Sequence, residues 1–549
     1  MDKKEWWTCL SLGIFAVAGC MVAPSAAASD ALGADSAIVT GKPAALPANA
    51  LAPLAHLDAE PIFAKVPAPW REYFVQARRA EEIADPLERC LAYPDLPGNR
   101  WPSGYALAHC QSHFRVLRLS NDDIRGYLDT GDLAGLRARM DAMQARHQAQ
   151  GTEQGEDIHY FYEDLEADAD TDALTARWLT LAPDDAYALL ARANYLRRAV
   201  WKARGGKYAA EVGQDRWKLV NQYSREAFPL YRRAAEVAPQ LMPIYDGALD
   251  LAAVTSNDDT KIWAVRQGLQ RDPACPTLTK IIINALRPRW GGSYPQMENF
   301  QQRIAKHVEQ RPLLALWLQE DQADQGGLRV KDEQFDALTL QLLEASILAG
   351  ANEDALRDAG STAIYGTDER WKGLAYIVQS VRFQPAHAWS ARQVAESLQP
   401  MDPAWALLSI SRTAVQEPDP APTQFLLGRT LAATGHFDLA EQAYQRATLD
   451  DKLGQRAMTE VASMWLYPVA GRAAAKPKRA EPFVRRLLEA QPQDGAGWIM
   501  RFDVYFLLEQ DIPDEVVENV IKYADRQDPW QADRAQRLEQ AIKGAGNRR

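Results

Sequence analysis

The chain has 549 residues, 47% of them apolar and 25% charged, an ordinary water-compatible composition with room for several domains or one long repeat array. Its formal net charge is −11, from 73 acidic and 62 basic side chains. That balance argues against a mainly electrostatic attraction to nucleic acid or to an anionic membrane surface, both of which need a basic face.

The first residues read as a targeting segment. Lys3 and Lys4 precede an apolar run from Trp6 to Gly19, 14 residues long and too short to span a bilayer. Val17-Ala18-Gly19-Cys20 resembles the lipobox of bacterial lipoproteins, in which Cys20 would be lipidated and become the first mature residue. Ala26-Ala27-Ala28 fits the small-residue site of ordinary secretion. Small residues directly before a cysteine favour the first exit. Met21 follows that cysteine, where lipoproteins kept at the inner membrane carry an aspartate, so the resemblance implies the outer membrane. Residues 1–28 are therefore a signal segment, and the expected place is the periplasmic side of the cell envelope; a soluble periplasmic or secreted protein is the alternative.

Three of the five cysteines lie beyond this segment. In an oxidising compartment Cys90 and Cys110 are expected to pair, closing a loop of about 20 residues for a stabilisation on the order of 3 kcal/mol. Cys275 is left as a small buried hydrophobe.

Residues 29–68 hold Pro43, Pro47, Pro53, Pro61 and Pro67 with little periodicity, and read as an unordered Ala/Pro-rich tether. Helical patterning starts near Trp70, and Pro94, Pro97, Gly98 and Pro102 force an irregular loop between two helices. His109, Cys110 and His113 put two histidines on one helical face, a spacing that can share a cation. No second Cys or His cluster lies nearby in sequence and Cys110 has a disulfide to make, so no metal and no cofactor is assigned.

Residues 121–150 read as a helix pair turning at Gly131-Asp132. An acidic stretch from Glu153 to Asp172 follows. Its Asp168-Ala-Asp170-Thr-Asp172 starts like a calcium loop but has Ala173 and Leu179 where glycine and glutamate are needed, and reads as a solvated loop at a helix N-terminus.

From about residue 174 a repeat takes over. In the stretch around residues 421–452, Leu427, Gly428 and Leu431 share one helical face, Gly435 turns the chain, and Phe437, Ala440, Tyr444 and Ala447 form the facing stripe. The same spacing returns at Ala227, Tyr231, Ala234 and Pro239; at Ala391, Ala395, Leu398 and Pro403; at Ala480, Val484, Leu487 and Pro492; and at Val517, Ile521, Ala524 and Pro529. A weaker copy, Val265, Gly268 and Pro273, ends 273 − 239 = 34 residues after its predecessor. The pattern resembles the tetratricopeptide repeat, whose helical hairpin cannot bury its apolar face alone and stacks on its neighbours. That resemblance implies an all-α superhelical solenoid. Irregular spacing splits it into two stacks, a divergent one over 69–325 and a cleaner one over 330–549, with QADQGGLRVKD (322–332) as the hinge and the helix from Trp530 as a polar cap.

Trp201-Lys-Ala-Arg204-Gly205-Gly206, then helices holding Tyr231 and Tyr245, then Arg287-Pro-Arg-Trp290-Gly-Gly-Ser293, resemble the bacterial domain-of-unknown-function 4034 family over roughly residues 75–320. That family implies fold and bacterial origin but no reaction.

Gly291-Gly292-Ser293 lacks the strand, lysine and spacing of a phosphate loop and reads as a helix–helix turn, with Ser293 capping a helix that buries Met297, Phe300 and Ile304. No G-x-S-x-G elbow and no H-E-x-x-H pair occurs, so no catalytic residue is assigned and the chain is not read as an enzyme. The expected function is a scaffold that binds a protein or peptide partner on its concave face, with the membrane reached through the lipid anchor alone and no nucleic acid bound. By the repeat resemblance, groove-facing positions include Asp246, Asp250, Arg429, Ile499 and Asp503. The alternative is a periplasmic enzyme acting on cell-envelope polymers, which needs convergent ionisable groups in one cleft.

Overall fold

The computed structural model describes residues 59–149, 151, 154–206, 209–416, 420–468 and 474–546. Among them are 27 α-helices and no strand. None of these helices is long and apolar enough to cross a membrane. The signal segment and Cys20 lie outside the described residues.

Within each compact unit successive helices pack in pairs, and pairs pack on their neighbours, which is the expected succession of hairpins. Local chemistry starts and stops them. Ser120 caps Asn121–Thr130 with a reciprocal capping box, Gly131 ends that helix at φ 73°, and Asp132 caps Leu133–Gln148. Asp168 caps Ala169–Leu181, with Asp170 and Asp172 in its first turn, as expected for acids at a helix N-terminus. Ser293 caps Tyr294–Ile304, which buries Met297, Phe300 and Ile304. Helix Ala186–Arg204 is buried on nearly every face, as a helix enclosed by neighbours on all sides must be.

The chain forms two compact units, one ending at Asp419 and the other beginning at Pro420. This corrects the expected division near residue 325. Gly326 and Gly327 suggested a breaker, but they lie inside helix Glu320–Lys331. A Cβ on Gly326 would come within 2.7 Å of the Leu343 side chain, so this glycine serves close packing on helix Ala337–Ile347 instead of a hinge. The expected tether is corrected too. Its last residues form helix Ala59–Ile62 and bury Phe63, which stacks on Phe74 at 5.5 Å and meets Trp405 edge-on at 5.9 Å.

The first unit closes on itself. Helix Trp70–Glu81 packs on Arg370–Phe383 and Pro403–Gln416. Tyr73 Oη donates to the Ala375 carbonyl at 3.2 Å, the Arg78 guanidinium meets Asp402 at 2.6 Å, Arg382 Nε donates to the Cys90 carbonyl at 2.7 Å, and Trp101 Nε1 donates to the Ile347 carbonyl at 2.9 Å. Cys90 and Cys110 are bonded, with Cα atoms 5.8 Å apart.

The second unit runs from Ala421–Ala433 through Phe437–Ala447, Gly454–Leu466, Pro477–Ala490, Gly495–Leu507 and Asp514–Tyr523 to Pro529–Gly546. Ala440, Tyr444 and Ala447 are buried, and a Cβ on Gly428 would lie 2.8 Å from the Tyr444 ring, which is why that position is glycine. The spacing Val517, Ile521, Ala524 is out of register: Val516 and Val520 form the buried stripe of that helix, while Val517 and Ile521 are half-buried.

Candidate functional site

A cavity of about 660 Å3 opens inside the first unit. Its walls come from helix Tyr105–Phe114, the segment 156–163, helix Pro276–Leu286, helix Glu320–Lys331 and the start of helix Glu353–Tyr365. Closure of the unit on itself brings these stretches together. The lining is strongly ionic, with acids Glu156, Glu163, Glu320, Asp324, Glu353, Asp354 and Asp358 and cations Lys280, Arg287, Arg289, Lys331 and Arg357.

Many of these charges are paired across the wall. Lys280 lies 3.6 Å from Glu163, Arg287 pairs with Glu320, and both Arg287 and Arg289 reach Asp324 at 3.3 and 3.1 Å. Two carboxyls are held above their ordinary range. Burial pushes Glu320 up to about 7 against the pull of Arg287, and one of its oxygens has no partner. Burial, with the neighbouring Asp354, pushes Asp358 up to about 6.

One end of the cavity carries the two histidines of the H-C-x-x-H stretch. His109 Nε2 and His113 Nε2 donate to the same Glu353 oxygen at 3.0 and 2.7 Å, and Tyr105 Oη lies 3.0 Å from His109 Nδ1. Burial lowers His109, while the two histidines hold the buried Glu353 carboxyl well below its usual range. An ionised carboxylate thus accepts two imidazole N–H groups, tying helix Tyr105–Phe114 to helix Glu353–Tyr365. His109 also stacks on Phe383, with ring centroids 3.8 Å apart.

Behind the part of the wall that Glu156 lines is a second, buried cluster. His147 comes from the last turn of Leu133–Gln148, Glu156 and His159 from the start of Asp157–Glu163, and Cys275 from the N-cap of Pro276–Leu286. His159 Nδ1 meets Asp246 Oδ2 at 2.5 Å, and His159 Nε2 faces His147 Nδ1 at 3.3 Å. His147 Nε2 lies 3.2 Å from Asp272, and Arg311 reaches Glu156 at 3.4 Å and Asp272 at 3.3 Å. Burial alone would lower His147, but Asp272 and Glu156 hold it up to about 9; burial would raise Glu156, but His159, His147 and Arg311 hold it near 2, its pKa being about 2. Cys275, His159 and Asp246 follow in the order of a nucleophilic triad. Cys275 is only 1% exposed, however, and burial pushes its thiol well up, so it is not an activated nucleophile.

The positions expected to face a groove mostly do not. Asp246 is buried against His159, and Asp250 accepts from Arg197 at 2.7 Å and from Trp201 Nε1 at 2.8 Å. Ile499 is buried, and Asp503 is buried between Tyr467 Oη at 2.6 Å and Arg534 at 3.0 Å. Arg429 is half-buried. The reason is common to them: further helices cover the face that an open superhelix would leave bare. Glu156 and Asp157, read as part of a solvated acidic stretch, are buried and ion-paired, Asp157 to Arg146 at 2.7 Å. The only sequence signal of either cluster was the His109/His113 spacing; the other members are separated by up to 116 residues for His159–Cys275 and 244 for His109–Glu353.

No protein-family model and no curated protein matches this sequence. Among solved structures, yeast Tom70 is similar at 12% identity, covering 78% of this chain and 96% of that one with a TM-score of 0.27. The Cut9–Hcn1 hetero-tetramer of APC/C is similar at 10% identity, covering 87% and 98% with a TM-score of 0.29. At these scores the fold assignment rests on the chain's own helix pairs.

Proposed function

We propose that this chain is a secreted, lipid-anchored helical-repeat scaffold that receives a protein or peptide segment on the concave side of its first unit. The observation that carries this reading is the cavity of about 660 Å3, whose walls carry both carboxylates and cations. An extended peptide presents donors, acceptors and both signs of charge along its length and suits such walls, whereas a small ion of one sign does not. The Val17–Cys20 motif supports lipid anchoring, and the Cys90–Cys110 bond supports an oxidising compartment. The two motifs that resemble the domain-of-unknown-function 4034 family meet in space: Trp201 and Trp290 lie edge to face at 6.0 Å, with Arg204 over both rings. Their meeting supports assigning the region to that family.

Two measurements test the reading. Cys20→Ser is expected to move the protein from the membrane to the soluble fraction; unchanged fractionation removes the anchor. Partners captured by the full chain from its own envelope fraction are expected to be lost when Asp358→Lys inverts a cavity charge, and equal capture by that variant removes the cavity as the binding face.

A second reading is favoured by the two raised carboxyls, Glu320 and Asp358, in one cleft. Protonatable acids beside ionised ones are what a periplasmic enzyme acting on cell-envelope polymers would need. Release of soluble fragments from isolated envelope polymer, lost in Glu320→Gln, would select this reading over the scaffold.

A further inference from the structure

We propose that His147, His159 and Cys275 form a buried, three-ligand site for zinc or a closely similar divalent transition-metal ion, with Glu156 beside it.

The donor atoms already converge. His147 Nδ1 and His159 Nε2 are 3.3 Å apart, Glu156 Oε1 lies 3.5 Å from the first and Oε2 3.7 Å from the second, and Cys275 Sγ lies 3.9 Å from His159 Nε2. Zinc bonds of about 2.0–2.3 Å arranged as a tetrahedron place neighbouring ligand atoms roughly 3.3–3.7 Å apart. The donor atoms of His147, His159 and Cys275 all lie within 4.8 Å of one another, so these three accept a cation once the Cys275 side closes toward such edges.

The outer nitrogens of both rings point the same way chemically. His159 Nδ1 is on Asp246 at 2.5 Å and His147 Nε2 faces Asp272 at 3.2 Å. Carboxylates on the far nitrogen are what fixes the tautomer and raises the basicity of metal-bound histidines. The two inner nitrogens face each other across 3.3 Å. A single shared proton relieves that one edge and leaves Cys275 with the Leu278 amide at 3.5 Å and a long approach to His159 Nε2 at 3.9 Å. A cation at the centre engages all three donors. Binding expels the shared imidazole proton and the Cys275 thiol proton to solvent. Asp246 and Asp272 add to the Glu156 and thiolate charges, which together compensate the dication and Arg311.

The contrast with the cavity's other histidine pair is informative. There both Nε2–H groups already end on one Glu353 oxygen, so each group is satisfied without an ion. One thiolate and two imidazoles select zinc-like ions over magnesium or calcium, which prefer oxygen alone. The three buried ligands come from helices Leu133–Gln148 and Asp157–Glu163 and the N-cap of Pro276–Leu286, which the ion would tie together behind the cavity wall.

The test is cobalt titration of the full chain after chelator treatment. We expect one equivalent of Co2+ to give intense tetrahedral d–d absorption and a thiolate-to-cobalt charge-transfer band, both bleached by Zn2+. Cys275→Ser keeps an oxygen to accept the Leu278 amide, so the helix cap survives, and circular dichroism checks that the fold does. This variant should lose the charge-transfer band and bind at least about 10-fold more weakly. His113→Ala, which alters only the other histidine pair, should leave the spectrum unchanged. A wild-type spectrum lacking tetrahedral bands or the thiolate band, a spectrum that survives Cys275→Ser, or one abolished by His113→Ala, would overturn the proposal.

Discussion

Arg78 and Asp402 sit 324 positions apart and meet at 2.6 Å with side chains 1% and 0% exposed. Asp402 also accepts the Trp405 amide at 2.9 Å. Removing Asp402 takes the nearest buried counter-charge from Arg78, which keeps Glu82 at 2.6 Å. Asp402→Ala is therefore expected to destabilise the first unit by about 3–5 kcal/mol in denaturant melts. Asp402→Asn, which keeps the Trp405 acceptor, separates the charge from the cap. Glu320 shows the opposite behaviour. Its folded pKa of about 7 stands above the ordinary 4.5, so the folded state holds a proton that the unfolded chain releases. Its contribution is most favourable below about pH 4.5 and is lost as pH rises through about 7. Glu320→Gln should remove this fall, raising stability at pH 8 relative to the parent by something on the order of 2 kcal/mol while changing little at pH 4. Equal pH profiles for parent and variant would place that carboxyl in water.

At the scale of elements, the repeat stripe is the useful unit. Ala440 has no solvent exposure and faces the preceding helix beside Tyr444. Ala440→Glu buries an unpaired charge at that contact and should destabilise the second unit by at least about 2 kcal/mol. A thermal melt matching the parent would contradict the packing described. The stripe was readable because small residues recur at helical spacing, and four of the five full copies fall on buried faces. Val517 fails by one position because Val516 and Val517 are adjacent and equally apolar; only the neighbouring helices decide which one is covered. Caps were legible for a similar local reason. Ser293, Asp168 and Gly131 act on backbone groups within four residues.

At the scale of the molecule, the first unit is shaped by contacts that join its two ends. The Cys90–Cys110 bond fixes the loop between helices Pro86–Ala92 and Tyr105–Phe114, and Arg382 holds the Cys90 carbonyl from nearly 300 residues away, a separation of 292. Breaking the bond by Cys90→Ser with Cys110→Ser is expected to lower stability by about 3 kcal/mol. The cavity should loosen with it, read as faster amide exchange in helix Glu353–Tyr365. An unchanged melt would mean that the surrounding packing alone holds the loop.

Helix type, hairpin succession, several caps, the turn at Gly131 and the cysteine pairing are properties of residues near one another in sequence or few in number, and periodicity and elimination reach them. The cavity, its ion pairs and the His147–His159–Cys275–Glu156 cluster depend on which hairpins meet after the first unit closes. No local pattern encodes that meeting, because a histidine that packs in a core and one that faces a second donor look alike until their neighbours are placed. The groove positions failed for the same reason: an open superhelix leaves its inner face bare, and here later helices fill it. What only the tertiary structure decided was therefore the chemistry of the interior, set by burial and by charges brought within 4 Å of each other across a hundred residues or more.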